Sequence, residues 1–224
     1  MRKCVLVSLA ILLSWGTLFA QDEDSSSGSE GGYFDAGDLA FEITGSPFAT
    51  TGGSLLSFGS LRARYAVTTN IVPRLGIEMY LSNTQNTPDA VYNSSSYTLR
   101  PGCEYHFAIQ DGFRSYAAFD FIVGQRFASS ESTTSYSVDG ATSVNTSSGT
   151  ANGVGYFMFG VGAGVGAEYH FNSRFYIGTE VGFNLFQQYK NEVYVDGELF
   201  MDKTKSSYVN MNTMSTLRVG FKFL

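Results

Sequence analysis

The chain has 224 residues, a formal net charge of −6, 15% aromatic residues, 25 glycines and only 4 prolines. That mix favours strands and tight turns over helices. It carries no basic cluster of the kind nucleic acid requires, and past the first twenty residues no apolar run is long enough to cross a membrane as a helix.

Residues 1–20 read as a signal peptide. Arg2 and Lys3 form a positive head, Val5 to Leu13 an apolar run broken only by Ser8, and Leu18-Phe19-Ala20 ends on a small residue suited to cleavage before Gln21. Cys4 leaves with the leader, so Cys103 stands alone in the mature chain and reads as a small lipid-facing hydrophobe. Residues 21–37 are acidic and Ser/Gly-rich, which predicts a disordered spacer. Six acids, Asp22, Glu23, Asp24, Glu30, Asp35 and Asp38, precede the first strand with no base among them.

Residues 38–224 then read as one domain with eight predicted strands in period two. They lie at 39–46, 55–67, 74–82, 97–107, 116–127, 155–171, from 175 onward, and 208–223. The sixth is the plainest: Phe157, Phe159, Val161, Ala163, Val165, Ala167, Tyr169 and Phe171 alternate without a break. The segments 68–73, 108–115 and 172–174 are short connections, whereas 84–96, 129–153 and 185–207 read as long polar loops. Short turns on one side and long loops on the other are the asymmetry of a transmembrane barrel, and an even strand count puts both termini on the short-turn side, the periplasm. Val138-Asp139-Gly140-Ala141 and Val195-Asp196-Gly197-Glu198 each place Asp-Gly where a type I′ hairpin wants positive φ.

Charge within the strands falls on the face opposite the apolar positions. Glu42, Glu78, Glu104, Asp120, Glu168 and Glu180 face Arg62, Arg64, Arg74, Arg100, Arg126, Arg218 and Lys222, six acids against seven bases. An eight-stranded barrel is only wide enough for side chains to fill it, and an unpaired buried charge costs several kcal/mol. A paired, water-trapping lumen network is therefore expected rather than a wide hole. Gly160, Gly162, Gly164 and Gly166 share the inward face, where they would leave room for long neighbours, ease strand curvature, or do both.

The leader, the alternating strands, the loop asymmetry and the closing segment Thr216-Leu217-Arg218-Val219-Gly220-Phe221-Lys222-Phe223-Leu224 together resemble the small bacterial outer-membrane β-barrel family of the OmpA/OmpX/OmpW kind. Family members usually end on an aromatic residue; here Phe223 is penultimate. The resemblance implies an all-β, eight-stranded antiparallel up-and-down transmembrane barrel in the bacterial outer membrane. Its partners would be outer-membrane lipid and lipopolysaccharide, and the insertion machinery would read its C-terminal strand. The implied role is non-enzymatic, structural or adhesion-like, through long extracellular loops that hold too little pattern to name a ligand. The runner-up is a narrow pore for small-molecule transport.

No cofactor or metal site is expected. His106 and His170 each follow an inward acid by two positions, as Glu104/His106 and Glu168/His170. That spacing allows a pH-sensitive gate or a metal site as well as a paired lumen network. No Ser-His-acid set is evident, and the glycines of 162–166 lack the following helix that a dinucleotide loop needs.

Overall fold

A computed structural model describes residues 34–45, 58–87, 90–132 and 136–223. The expected leader, the acidic segment up to residue 33, the ends of the first two expected strands within 46–57, and Leu224 lie outside the described residues. The described strands are β1 (Leu39–Gly45), β2 (Phe58–Tyr65), β3 (Ile71–Thr87), β4 (Ala90–Gln110), β5 (Phe113–Ser132), β6 (Val138–Asp139), β7 (Ser143–Asn145), β8 (Thr150–Asn152), β9 (Tyr156–His170), β10 (Phe175–Lys190), β11 (Val193–Val195), β12 (Glu198–Met201) and β13 (Thr204–Lys222).

Eight of these close a ring. β1 pairs with β2, then β2–β3, β3–β4, β4–β5, β5–β9, β9–β10 and β10–β13 follow, and β13 returns to β1, every pair antiparallel. The fold is an up-and-down β-barrel in which each described strand of this circuit has a partner on both sides. Its side chains are distributed inside out. Phe119, Phe121, Val123, Val165 and Phe183 point outward and are exposed, while Glu42, Arg64, Glu104, Glu168 and Arg218 are almost fully buried inside. A barrel in lipid requires this arrangement, because the surroundings are apolar and the charges can be satisfied only by one another.

Two exposed aromatic bands mark the height of the apolar belt. Near the short turns stand Tyr65, Tyr105, Phe107, Tyr169, Phe171 and Phe223; towards the other end stand Tyr97, Phe127, Phe157 and Tyr189. Tyr169 and Phe157 lie on one face of β9. Twelve residues at ~3.4 Å each, tilted by about 45°, span roughly 29 Å of height, close to the hydrocarbon thickness. Cys103 lies exposed on this outer face.

The strands run well past the belt. β4 has 21 residues, about 70 Å of strand and roughly 50 Å of height at the same tilt. The expected loops 84–96 and 185–207 are therefore corrected in large part to strand. β3 and β4 stay in register through Ser82↔Ser94, Asn83↔Asn93 and Thr84↔Tyr92, tied by a 2.7 Å hydrogen bond from the Asn83 side-chain amide to Asn93 Oδ1. Beyond the membrane both faces of a strand are wet, so apolar alternation fades while backbone pairing persists.

The two Asp-Gly readings part ways. Asp196 and Gly197 have φ of +50° and +85°, and β11 pairs with β12 across them as a type I′ hairpin demands. Asp139 keeps a negative φ. It pairs with Ser129 of β5 and Tyr194 of β11 instead of opening a hairpin, so the expected turn at Val138–Ala141 is corrected. Gly140, at φ +87°, is needed because a Cβ there would sit 2.1 Å from the Glu192 carbonyl oxygen. The hairpin in this region is β7–β8. Val138, Ala141, Val154 and Val193 bury a small apolar core beneath these outer hairpins.

Candidate functional site

The site is the charged lumen, and period two builds it. Inward positions recur every second residue, so β1, β2, β3, β4, β5, β9, β10 and β13 each direct their charges to the axis. At the centre lies Arg64 of β2, whose guanidinium meets Glu42 at 2.9 Å, Glu104 at 2.5 Å and Glu168 at 2.8 Å, with every partner side chain 0% exposed. Arg74 grips Asp120 through two 2.7 Å hydrogen bonds and reaches Glu104 at 2.9 Å and Glu180 at 2.7 Å. Arg218 stands 3.2 Å from Glu42 and 3.6 Å from Glu104, and Arg62 lies 3.4 Å from Glu180 and 3.5 Å from Glu42.

Arg100 forms the upper edge, 4.0 Å from Asp120, 3.8 Å from Glu78 and hydrogen-bonded at 2.7 Å to Asn184. Three of the thirteen expected residues stand apart from the centre. Glu78 is 41% exposed at the side chain, Arg126 donates to Ser94 at 3.2 Å, and Lys222 closes the other end on Asp38 at 2.8 Å. The remaining ten form one cluster in which each guanidinium bridges strands that are not neighbours in sequence. Such charge-assisted, partly bidentate pairs fix geometry as well as neutralising charge. Small residues opposite make room: a Cβ on Gly102 would lie 2.0 Å from Asp120 Oδ1, and one on Gly166 would lie 2.2 Å from the Tyr116 ring.

Several participants went unnoticed in the sequence. Tyr116 donates to Glu180 and Tyr176 to Glu42, each at 2.9 Å, and their rings lie under Arg218 and Arg64 at 5.0 and 5.3 Å. Arg114, read as part of a short connection, is the second residue of β5 and is buried, donating to the carbonyls of Phe34 and Thr69. Its inward parity with Tyr116 and Asp120 was the available signal.

Phe34 belongs to the segment expected to be loose through residue 37, yet its ring is 1% exposed. It packs beside Tyr176 and His170 with Arg64 5.1 Å above it, and Gly37 bonds the Ala66 carbonyl at 2.8 Å. The expectation of a loose segment is therefore corrected at residues 34–37, because one aromatic side chain can bury itself in the barrel mouth. His106 and His170 lie in the same mouth, 3.1 Å from Glu104 and 3.2 Å from Glu168. Among the described residues, no group of three His, Cys, Asp or Glu side chains is placed to hold a metal ion.

Fold and site together define a class: an eight-stranded antiparallel barrel, apolar towards its surroundings and filled by ion pairs. Among solved structures, the chain is similar to the outer membrane protein OprG from Pseudomonas aeruginosa, with 14% identity over 85% of this chain and 97% of that one and a TM-score of 0.45. It is also similar to the N-terminal β-barrel domain of Pseudomonas aeruginosa OprF, at 16% identity over 84% and 98% with a TM-score of 0.40. The E. coli outer membrane protein W gives 18% identity over 84% and 99%, with a TM-score of 0.39. No protein-family model and no curated protein sequence matches the chain.

Proposed function

We propose that this protein is a non-enzymatic bacterial outer-membrane barrel whose lumen is closed by its charge network and whose outer hairpins make its contacts. Both termini face the periplasm, lipid and lipopolysaccharide surround the wall, and the insertion machinery reads the C-terminal strand β13. One observation carries the closed lumen: Arg64 is ringed by Glu42, Glu104 and Glu168 at 2.5 to 2.9 Å with its side chain 0% exposed. Ion passage along the axis has to part these contacts. The role left to such a barrel is structural or adhesive, exercised by the β5–β9 and β10–β13 connections that stand beyond the aromatic belt.

Single-channel recording of the refolded protein in planar bilayers tests this. Silence at all voltages is the expected result. Reproducible ion-selective steps that change on truncation of Arg62, Arg64 or Arg218 would replace the closed barrel with a narrow pore.

A further inference from the structure

Above the Arg100–Asn184 bond, at the end of the barrel away from the termini, the lumen widens into a cavity of about 640 Å³. That volume lies within the range of small-molecule sites. Its walls come from five strands, and they differ from the floor in chemistry.

Four rings face into it: Tyr80, Tyr156, Phe186 and Tyr208. Phe186 and Tyr208 stack at 5.3 Å with only 24° between their planes. Tyr80, although on the inward face, is 59% exposed, so its ring meets the cavity rather than packed protein. Between the rings stand hydroxyls, Ser96 and Thr98, and amides, Gln188 and Asn210. Among the described residues, Glu78 is the one charged side chain of the lining, and Arg100 lies 3.8 Å from it.

We propose that this vestibule binds a neutral saccharide. Flat aromatic faces accept the apolar face of a sugar ring, and amides and hydroxyls both donate and accept towards its hydroxyl groups. An acyl chain would fit the volume but would bury Ser96, Thr98, Gln188 and Asn210 without partners. A phosphorylated ligand would meet the Glu78 carboxylate, and a cation would find one acid already facing an arginine. The sugar is held rather than passed on, because the ion-pair cluster lies directly beneath. Binding at equilibrium does not depend on whether that cluster conducts, so the closed-lumen reading and this one can fail separately.

The test uses the full refolded barrel in a zwitterionic, sugar-free detergent, with saturation-transfer NMR against maltotriose and N-acetylchitotriose. Saturable transfer is expected, weakened about tenfold by Phe186→Ala or Tyr208→Ala, which is about 1.4 kcal/mol. Gln188→Ala, which leaves the stacked pair in place, should weaken it by a smaller factor. Val209→Ala, on the outer face, should leave it unchanged. The heat-modifiable gel shift certifies that each variant is folded. A second arm places the barrel in bilayers with and without lipopolysaccharide: loss of the trisaccharide signal only when lipopolysaccharide is present assigns the sugar to neighbouring lipid headgroups, and an unchanged signal assigns it to soluble glycans. Absence of saturable transfer from either trisaccharide, equal affinity in the Phe186→Ala and Tyr208→Ala variants, or saturable binding of laurate in place of sugar would overturn the proposal.

Discussion

Replacing Arg64 by methionine keeps most of the side-chain volume and removes the charge at the centre of the lumen. The structure tells which acid suffers most. Glu104 retains Arg74 at 2.9 Å, and Glu42 retains Arg218 at 3.2 Å. Among the described residues, Glu168 keeps His170 at 3.2 Å and Arg218 at 3.8 Å as ion-pair contacts. Breaking a buried pair and leaving its partner charged costs about 3–5 kcal/mol, and that loss is expected for Arg64→Met in urea unfolding from lipid vesicles, followed by the heat-modifiable gel shift. Because the cost arises from a stranded carboxylate, adding Glu168→Gln should return roughly half of it, whereas Glu168→Gln alone should be destabilising by about 1–3 kcal/mol. A variant Arg64→Met within about 1 kcal/mol of the parent, below the range for a broken buried pair, would refute the reasoning. So would a double variant less stable than the single one.

Phe34→Ala should cost about 3 kcal/mol, the low end for emptying a buried aromatic site, and should speed proteolysis of the N-terminal segment without altering the strands. Gly220→Ala would set a Cβ 2.0 Å from the Tyr176 ring, so a loss of about 1–3 kcal/mol from overpacking is expected, relieved when Tyr176→Leu is added. Gly197→Ala, at φ +85°, should destabilise the outer β11–β12 hairpin by about 1 kcal/mol, read as faster amide exchange there with the barrel unchanged. On that hairpin the Tyr194 hydroxyl and Lys203 hold the Glu192 carboxyl below its ordinary range. Its contribution is present above the unfolded-state value and is lost as pH falls through the lowered one. An NMR titration should show the lowered value, and Tyr194→Phe should raise it.

What the sequence made legible follows from where the physics is strict. Inside the lipid belt a one-residue slip would turn a strand's charges to lipid, so the alternation of Phe157 to Phe171 and the inward parity of Arg64, Glu104 and Glu168 could be read directly. Outside the belt that constraint relaxes. The polar ends of β3 and β4 therefore read as loop, and Asp139-Gly140 gave the composition of a turn without its context. Tyr116 and Tyr176 were visible as strand residues but not as ligands of Glu180 and Glu42, since a phenol has no charge to flag it. Phe34 was obscured by acidic neighbours whose composition outweighed a single ring.

The pairing of Val138 and Asp139 with Val195 and Tyr194 joins two connections that are far apart in the chain. The surface at the end of the barrel away from the termini is thus discontinuous in sequence, its shape belonging to neither segment alone. Antisera raised against a linear peptide from one connection would recognise denatured protein better than the folded barrel. Sequence change in one connection would also be restrained by its need to keep fitting the other.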